Sequence, residues 1–197
     1  MSAALSKDFA LLVYQRDACS GRFSVHGSMA YQPPWLSVYF AVHGPVDDLM
    51  IPYTKQSPER QHHLWEHMCF EVFFAPVARA QYWEINVSPS GNWNTYRFDH
   101  YRQGMHVEPL LHVSQIASHV HPGDTLTLHF QMDVSRLVRA NALGQYDLEC
   151  SPCCILVDRA QHKSYWAMDH QPPRPDFHRR ASFALLLPIG SRYATRS

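Results

Sequence analysis

Apolar and polar residues alternate with a period of two along most of this chain. That spacing sends successive side chains to opposite faces of a β-strand. Thr125 to Met132, TLTLHFQM, aligns Leu126, Leu128, Phe130 and Met132. Trp35 to His43, WLSVYFAVH, aligns Leu36, Val38, Phe40 and Val42. Arg22 to Met29 sets Phe23, Val25 and Gly27 against Ser24, His26 and Ser28. The segments Phe9–Gln15, Cys69–Ala75, Tyr82–Ser88, Trp93–Asp99, Cys153–Asp158, Ser164–Met168 and Ser182–Leu187 complete the predicted strands.

Turn-forming clusters separate these runs, among them Gln32-Pro33-Pro34, Gly44-Pro45, Ser88-Pro89-Ser90-Gly91-Asn92 and Pro122-Gly123-Asp124. Helix signals are scarce. Pro58–Glu66 has room for one or two turns, and Val134–Leu143 reads as a short helix capped by Asp133 and stopped at Gly144. Many short strands with regular turns predict an all-β fold, an antiparallel β-sandwich. One domain is expected over residues 1–190, followed by a C-terminal tail, 191–197.

Composition narrows the function classes. Of 197 residues, 46% are hydrophobic and 17% charged, which describes a globular chain with a sizeable core. Basic and acidic residues balance at 17 each, so no global field attracts nucleic acid. No run approaches the ~18–20 apolar residues of a membrane span. The opening segment, MSAALSKDFALLVYQRDACSG, is broken by Lys7 and Asp8 and does not read as a secretory signal. A cytoplasmic location is therefore expected. The five Cys read as free thiols, several of them buried.

Three of the predicted strands carry unusual chemistry. In Cys69–Ala75 and Tyr82–Ser88 the core sets are Phe70, Val72 and Phe74, and Trp83, Ile85 and Val87. In Trp93–Asp99, Tyr96 and Phe98 read as core. The opposite faces then collect Glu71, Glu84, Asn86 and Arg97, with Phe73, Tyr82 and Trp93 beside them and Trp65 just upstream. If the strands form a meander, these side chains come within cross-strand reach. One explanation is a solvated outer face with Arg97 bridging the glutamates. The other is a binding surface for a polyhydroxylated ligand, because carboxylate and guanidinium groups bond hydroxyls and aromatic rings cover sugar C–H faces.

These residues also carry a family resemblance. The run Trp65-Glu66, Cys69-Phe70-Glu71-Val72-Phe73, Tyr82-Trp83-Glu84-Ile85-Asn86-Val87-Ser88-Pro89-Ser90-Gly91 and Tyr96-Arg97-Phe98 resembles DOMON-like domains related to family 9 carbohydrate-binding modules. So does the later pair Tyr165-Trp166-Ala167-Met168 and Arg174-Pro175-Asp176-Phe177-His178. The resemblance implies a β-sandwich that binds a small saccharide on one face and performs no chemistry. It implies Trp65 and Trp166 as two rings clamping a terminal sugar, Glu71 and Arg97 as hydroxyl-binding charges, and Asn86 as a further match. No acidic loops suited to the calcium sites of family 9 modules stand out.

Other readings compete. Cys150-Ser-Pro-Cys153-Cys154 has CxxC spacing but no second ligand pair, so strand core is the expectation over a metal or redox site. His62, His63 and His67, and the pair His119 and His121, read as exposed histidines. Some DOMON domains hold haem between Met and His ligands, and Met68, His67, Met105, Met168 and His170 are available for that alternative. No cofactor or metal is otherwise expected. A glycosidase would need a carboxyl kept protonated, and mid-strand glutamates beside an arginine should stay ionised. A protein-interaction module is the remaining alternative.

Overall fold

A computed structural model describes residues 5–55 and 57–189; the expected tail, 191–197, lies outside them. Its twelve strands are β1 (Leu5–Val13), β2 (Ser24–Gln32), β3 (Trp35–His43), β4 (Cys69–Pro76), β5 (Tyr82–Val87), β6 (Trp93–Phe98), β7 (His106–Val107), β8 (Val113–His121), β9 (Thr125–Asp133), β10 (Leu148–Val157), β11 (Lys163–Ala167) and β12 (Leu185–Leu187). One α-helix, α1 (Ser135–Ala140), accompanies them among the described residues. Hydrogen-bonded neighbours run β7-β6-β5-β4-β10-β11-β1-β2-β3-β9-β8, with β12 on the side of β10, and these strand pairs are antiparallel. The all-β, sandwich-like prediction holds.

β1 joins the two layers. Its residues Leu5–Leu11 pair with β2, while Leu12 and Val13 pair with β11. The layers meet through the apolar alternations read from sequence. Phe40 of β3 lies 5.1 Å from Phe70 of β4 and 5.2 Å from Phe9 of β1, ring centre to ring centre. Val38, Phe40, Val42, Leu128, Phe130 and Met132 are fully or almost fully buried on one side, and Phe70, Val72, Trp83 and Ile85 on the other. Among the described residues no helix is long and apolar enough to cross a membrane.

Three local expectations change. β8 carried no prediction, because VSQIASHVH has little apolar alternation. It is an edge strand with a bulge between Ser114 and Ala117, where Gln115 adopts a left-handed φ of 51°. The helix after Asp133 is shorter than Val134–Leu143. Asp133 Oδ1 does accept the Ser135 N–H at 2.8 Å. The stop, however, comes near Ala142, at φ 51°, and a 3-10 turn then runs through Gly144. Of the turns expected over Pro58–Glu66, only a 3-10 turn at Leu64–Glu66 forms.

Gly27 marks the tightest point of the first layer. A Cβ there would lie 2.0 Å from the Tyr39 carbonyl oxygen and 2.6 Å from the Phe9 ring. Backbone and a buried ring cannot both retreat. Gly27→Ala is expected to cost about 1–3 kcal/mol, the usual range for overpacking. Urea denaturation checks this, and an unchanged midpoint contradicts the packing described.

Candidate functional site

Both faces of β4 and β5 are buried, which is unusual for an antiparallel sheet. One face packs into the sandwich. The other is covered by the chain around Trp65, by the turn after β6 and by residues 175–183. Asp176 fastens two of these covers. Its carboxylate accepts hydrogen bonds from Tyr101 Oη and from Arg102 Nη2 at 2.8 Å, and Arg179 Nε lies 3.6 Å away. Burial works against the charge, but these donors hold the Asp176 carboxyl below its ordinary range. Where the covers leave a gap, a cleft of about 440 Å³ opens onto the sheet.

Glu71 and Glu84 form the floor. They sit diagonally on adjacent strands, since Glu71 pairs with Asn86 and Phe73 with Glu84. Trp65 stands on one wall, with its ring 5.6 Å from Tyr96 and 5.1 Å from His63. Tyr165 and Phe177, with ring centres 6.1 Å apart, also line the cleft. Arg102, Lys163 and Met105 line it as well. The floor is thus polar and the walls aromatic, as small-molecule sites require.

The glutamates are only 2% and 4% exposed. Burial, and then the neighbouring Glu84 charge, pushes the Glu71 carboxyl far above its usual value. Burial raises Glu84 to about 7, against the opposing pull of the Asn86 amide and the Arg102 charge. Asn86 Nδ2 donates to Glu84 Oε1 at 2.6 Å, and Glu71 Oε1 has no hydrogen-bond partner. The expectation that these carboxyls stay ionised is corrected, because their presumed counter-ion, Arg97, is on the other face of the sheet.

A short relay completes the site. The Arg102 backbone N–H donates to Tyr82 Oη at 3.1 Å, and Oη shares a 2.8 Å hydrogen bond with His178 Nδ1. Burial, with the Arg102 charge assisting, lowers His178 to about 4, so its ring is neutral at physiological pH. When the phenol donates to Nδ1, the proton of the neutral ring is on Nε2. Nε2 lies 3.9 Å from Glu84 Oε2, too far for a direct bond and open to a ligand oxygen.

The residues predicted from sequence divide into two groups. Trp65, Glu71 and Glu84 meet in the cleft, and Asn86 supports them from beneath. Arg97, Trp93 and Trp166 do not join them. The five-residue loop 88–92 sets Val87 opposite Trp93 and Trp83 opposite Arg97, so odd residues of β5 and β6 share the core face. The outer face carries Asn94, Tyr96 and Phe98 instead. Their apolar character reflects the covering segments. Arg97 pairs with Asp99 at 3.7 Å, and Trp93 packs beneath the Arg60 guanidinium, 4.2 Å from its ring centre. Trp166 pairs with Cys154, itself opposite Phe70, which places it in the core at 3% exposure. Its neighbour Tyr165 faces the cleft.

Arg102, Tyr165, Phe177 and His178 escaped the sequence reading as site residues. A signal existed for three of them: strand parity selects Tyr165 over Trp166, and the quoted Pro175-Asp176-Phe177-His178 run holds the other two. Nothing local marks Arg102. The haem-ligand candidates are dispersed. Met105 lines this cleft, His67 and Met68 line a second hollow, and His170 Nε2 bonds the Leu12 carbonyl. Among the described residues no group of three or more His, Cys, Asp or Glu could hold a metal ion. Cys150, Cys153 and Cys154 are buried strand residues whose thiols burial pushes far up, leaving them unreactive.

Comparison with known proteins gives the fold a neighbour. No family model matches the chain, and no curated protein matches it. The fold is similar to the crystal structure of a "putative carbohydrate-binding protein from Bacteroides uniformis ATCC 8492". The TM-score is 0.62 and the identity 14%, over 90% of this chain and 84% of that one. At that identity the likeness establishes a shared fold alone.

The site's proton balance is measurable. Glu84 favours the folded state most while protonated, so its contribution is full below the unfolded value of 4.5 and is lost as pH rises through about 7. Glu71 extends the loss to higher pH. His178 opposes them: its contribution is full above 6.5 and is lost as pH falls through about 4. His178 offsets the Glu84 loss over nearly the same acidic range, and the Glu71 loss continues above neutrality. Tm is expected to fall between pH 6.5 and pH 8. Glu84→Gln, which keeps an acceptor for Asn86, should reduce that fall by about 1 kcal/mol, the part of the Glu84 loss that lies above pH 6.5, and leave the Glu71 part in place. An identical Tm profile in the variant would show that Glu84 ionises freely.

Proposed function

We propose that the cleft binds the terminal ring of a small saccharide and leaves its bonds intact. One observation carries this reading. Buried carboxyls, one with an unpartnered oxygen, face a gap walled by Trp65, Tyr165 and Phe177. A protonated carboxyl both donates and accepts, as a sugar hydroxyl does, and the two satisfy each other without a buried net charge. The aromatic rings cover the sugar's C–H faces and exclude water. His178 Nε2–H and the Arg102 guanidinium supply further donors. The fold's likeness to a protein described as carbohydrate-binding supports the same reading.

The resemblance to DOMON-like domains and family 9 modules fits this proposal with two exchanges. Tyr165, with Phe177, takes the part that the resemblance gives to Trp166, and Arg102 takes that of Arg97. A mono- or disaccharide of roughly 12–23 heavy atoms, at about 0.3 kcal/mol per atom, gains roughly 4–7 kcal/mol. Dissociation constants then run from about millimolar to about ten micromolar.

Glycoside hydrolysis is a second reading, favoured by the raised Glu84 pKa, which suits a general acid. Its geometry is unfavourable. Hydrolytic carboxyls flank the scissile bond, whereas Glu71 and Glu84 rise from one sheet face beneath the ligand. Turnover of nitrophenyl glycosides, abolished by Glu84→Gln, would establish it.

Titration with glucose, cellobiose, N-acetylglucosamine and muramic-acid derivatives, followed by Trp emission, tests binding. Trp65→Ala is expected to weaken binding roughly tenfold or more, the ~1.4 kcal/mol scale of a lost stacking contact. Arg97→Ala should leave it unchanged. The opposite pattern would return the site to the other face of the sheet.

A further inference from the structure

Past Glu66 and Lys163 the cleft continues into a second hollow of about 640 Å³, and those two residues line both. Its far wall is the strap Leu49–Lys55. The strap is fastened at both ends. Leu49 bridges Asp158, the Met50 N–H donates to the Val157 carbonyl at 2.8 Å, and the Lys55 N–H donates to the Ser90 carbonyl at 2.8 Å. Met50, Ile51, Pro52 and Val157 give an apolar rim. Among them Tyr53 is 96% exposed, far more than Leu12 at 62%, the next barest large apolar residue described. A tyrosine ring left in water on an anchored strap gives up the burial that such a ring normally finds.

The opposite side is polar and buried. Ser88, Ser90 and Asn92 are 4%, 7% and 2% exposed and line the hollow. Ser90 Oγ donates to Ser88 Oγ at 2.9 Å, and Asn92 Nδ2 donates to Gln61 Oε1. Hydroxyl and amide groups beside an exposed ring suit another hydroxylated ring.

We propose that this hollow holds the next rings of an oligosaccharide whose terminal ring lies in the cleft, with Tyr53 as their stacking platform. The inference rests on the carbohydrate reading of the cleft and adds that chain length is recognised. Glu66 and Lys163 flank the linkage between the two hollows, where their charges meet hydroxyls from either side.

Calorimetric titration with cello-, chito- and malto-oligosaccharides of one to four rings tests it. In the series that binds, Kd is expected to fall at least about tenfold from the monosaccharide to the trisaccharide. Tyr53→Ala should abolish that gain and leave monosaccharide affinity and Tm unchanged, since the ring is solvent-exposed. Trp65→Ala should weaken every member equally. Binding that is independent of length, or a trisaccharide affinity untouched by Tyr53→Ala, overturns the second hollow and spares the cleft. Absence of binding throughout all three series overturns both.

Discussion

The structure depends on burying both faces of the β4-β5-β6 meander. A sheet covered on one side can leave polar residues in water on the other. Here the second face is sealed by the chain around Trp65, by the turn after β6 and by residues 175–183. Sealing removes water from whatever polar groups the strands carry. Two glutamates, two asparagines and two tyrosines stand on that face, and each must find a partner or change its charge. Tyr96 and His62 bond at 3.1 Å, Asn94 Nδ2 donates to Tyr96 Oη at 2.9 Å, and Arg60 donates to Asn94, Thr95 and two backbone carbonyls. Glu71 and Glu84 are left with less, and burial raises the pKa of both.

That response makes the cleft chemically distinct from an ordinary surface. A floor of charged carboxylates would attract cations and hold water tightly. A floor whose carboxyls burial shifts toward the protonated form, beside a neutral imidazole, presents donors and acceptors with less charge. Such a floor can exchange water for hydroxyls at small electrostatic cost. The Arg102 charge pulls both carboxyls downward, and Asp176, 2.8 Å away, offsets part of that charge. Asp176 therefore serves twice: it anchors the cover, and it tempers the pull of the nearest guanidinium on the floor.

Much of this was legible in the chain. Period-2 alternation placed β3, β4, β5, β6 and β9 within a residue and β2 within three, because strands with one dry face leave that imprint. β8 left none, since an edge strand with a bulge buries little. Glu71, Glu84 and Asn86 were legible as companions because residues of like parity on paired strands share a face. Arg97 was misplaced for a related reason. Chemical character was taken as the guide to its face, and Tyr96 and Phe98 looked like sandwich core. They are apolar because other segments cover them.

The sequence by itself determined the strands, the apolar interior and the presence of two glutamates on one face, since these follow from alternation within a few residues. It could not say which way β6 and β11 turn relative to their neighbours. That is settled by pairing across the sheet, and one step of register exchanges Trp166 for Tyr165. Nor could it say that the glutamates would lose their water. Desolvation came from residues 62–66 and 101–105, which flank the meander, and from 175–183, far along the chain, all brought over the sheet only by the tertiary fold.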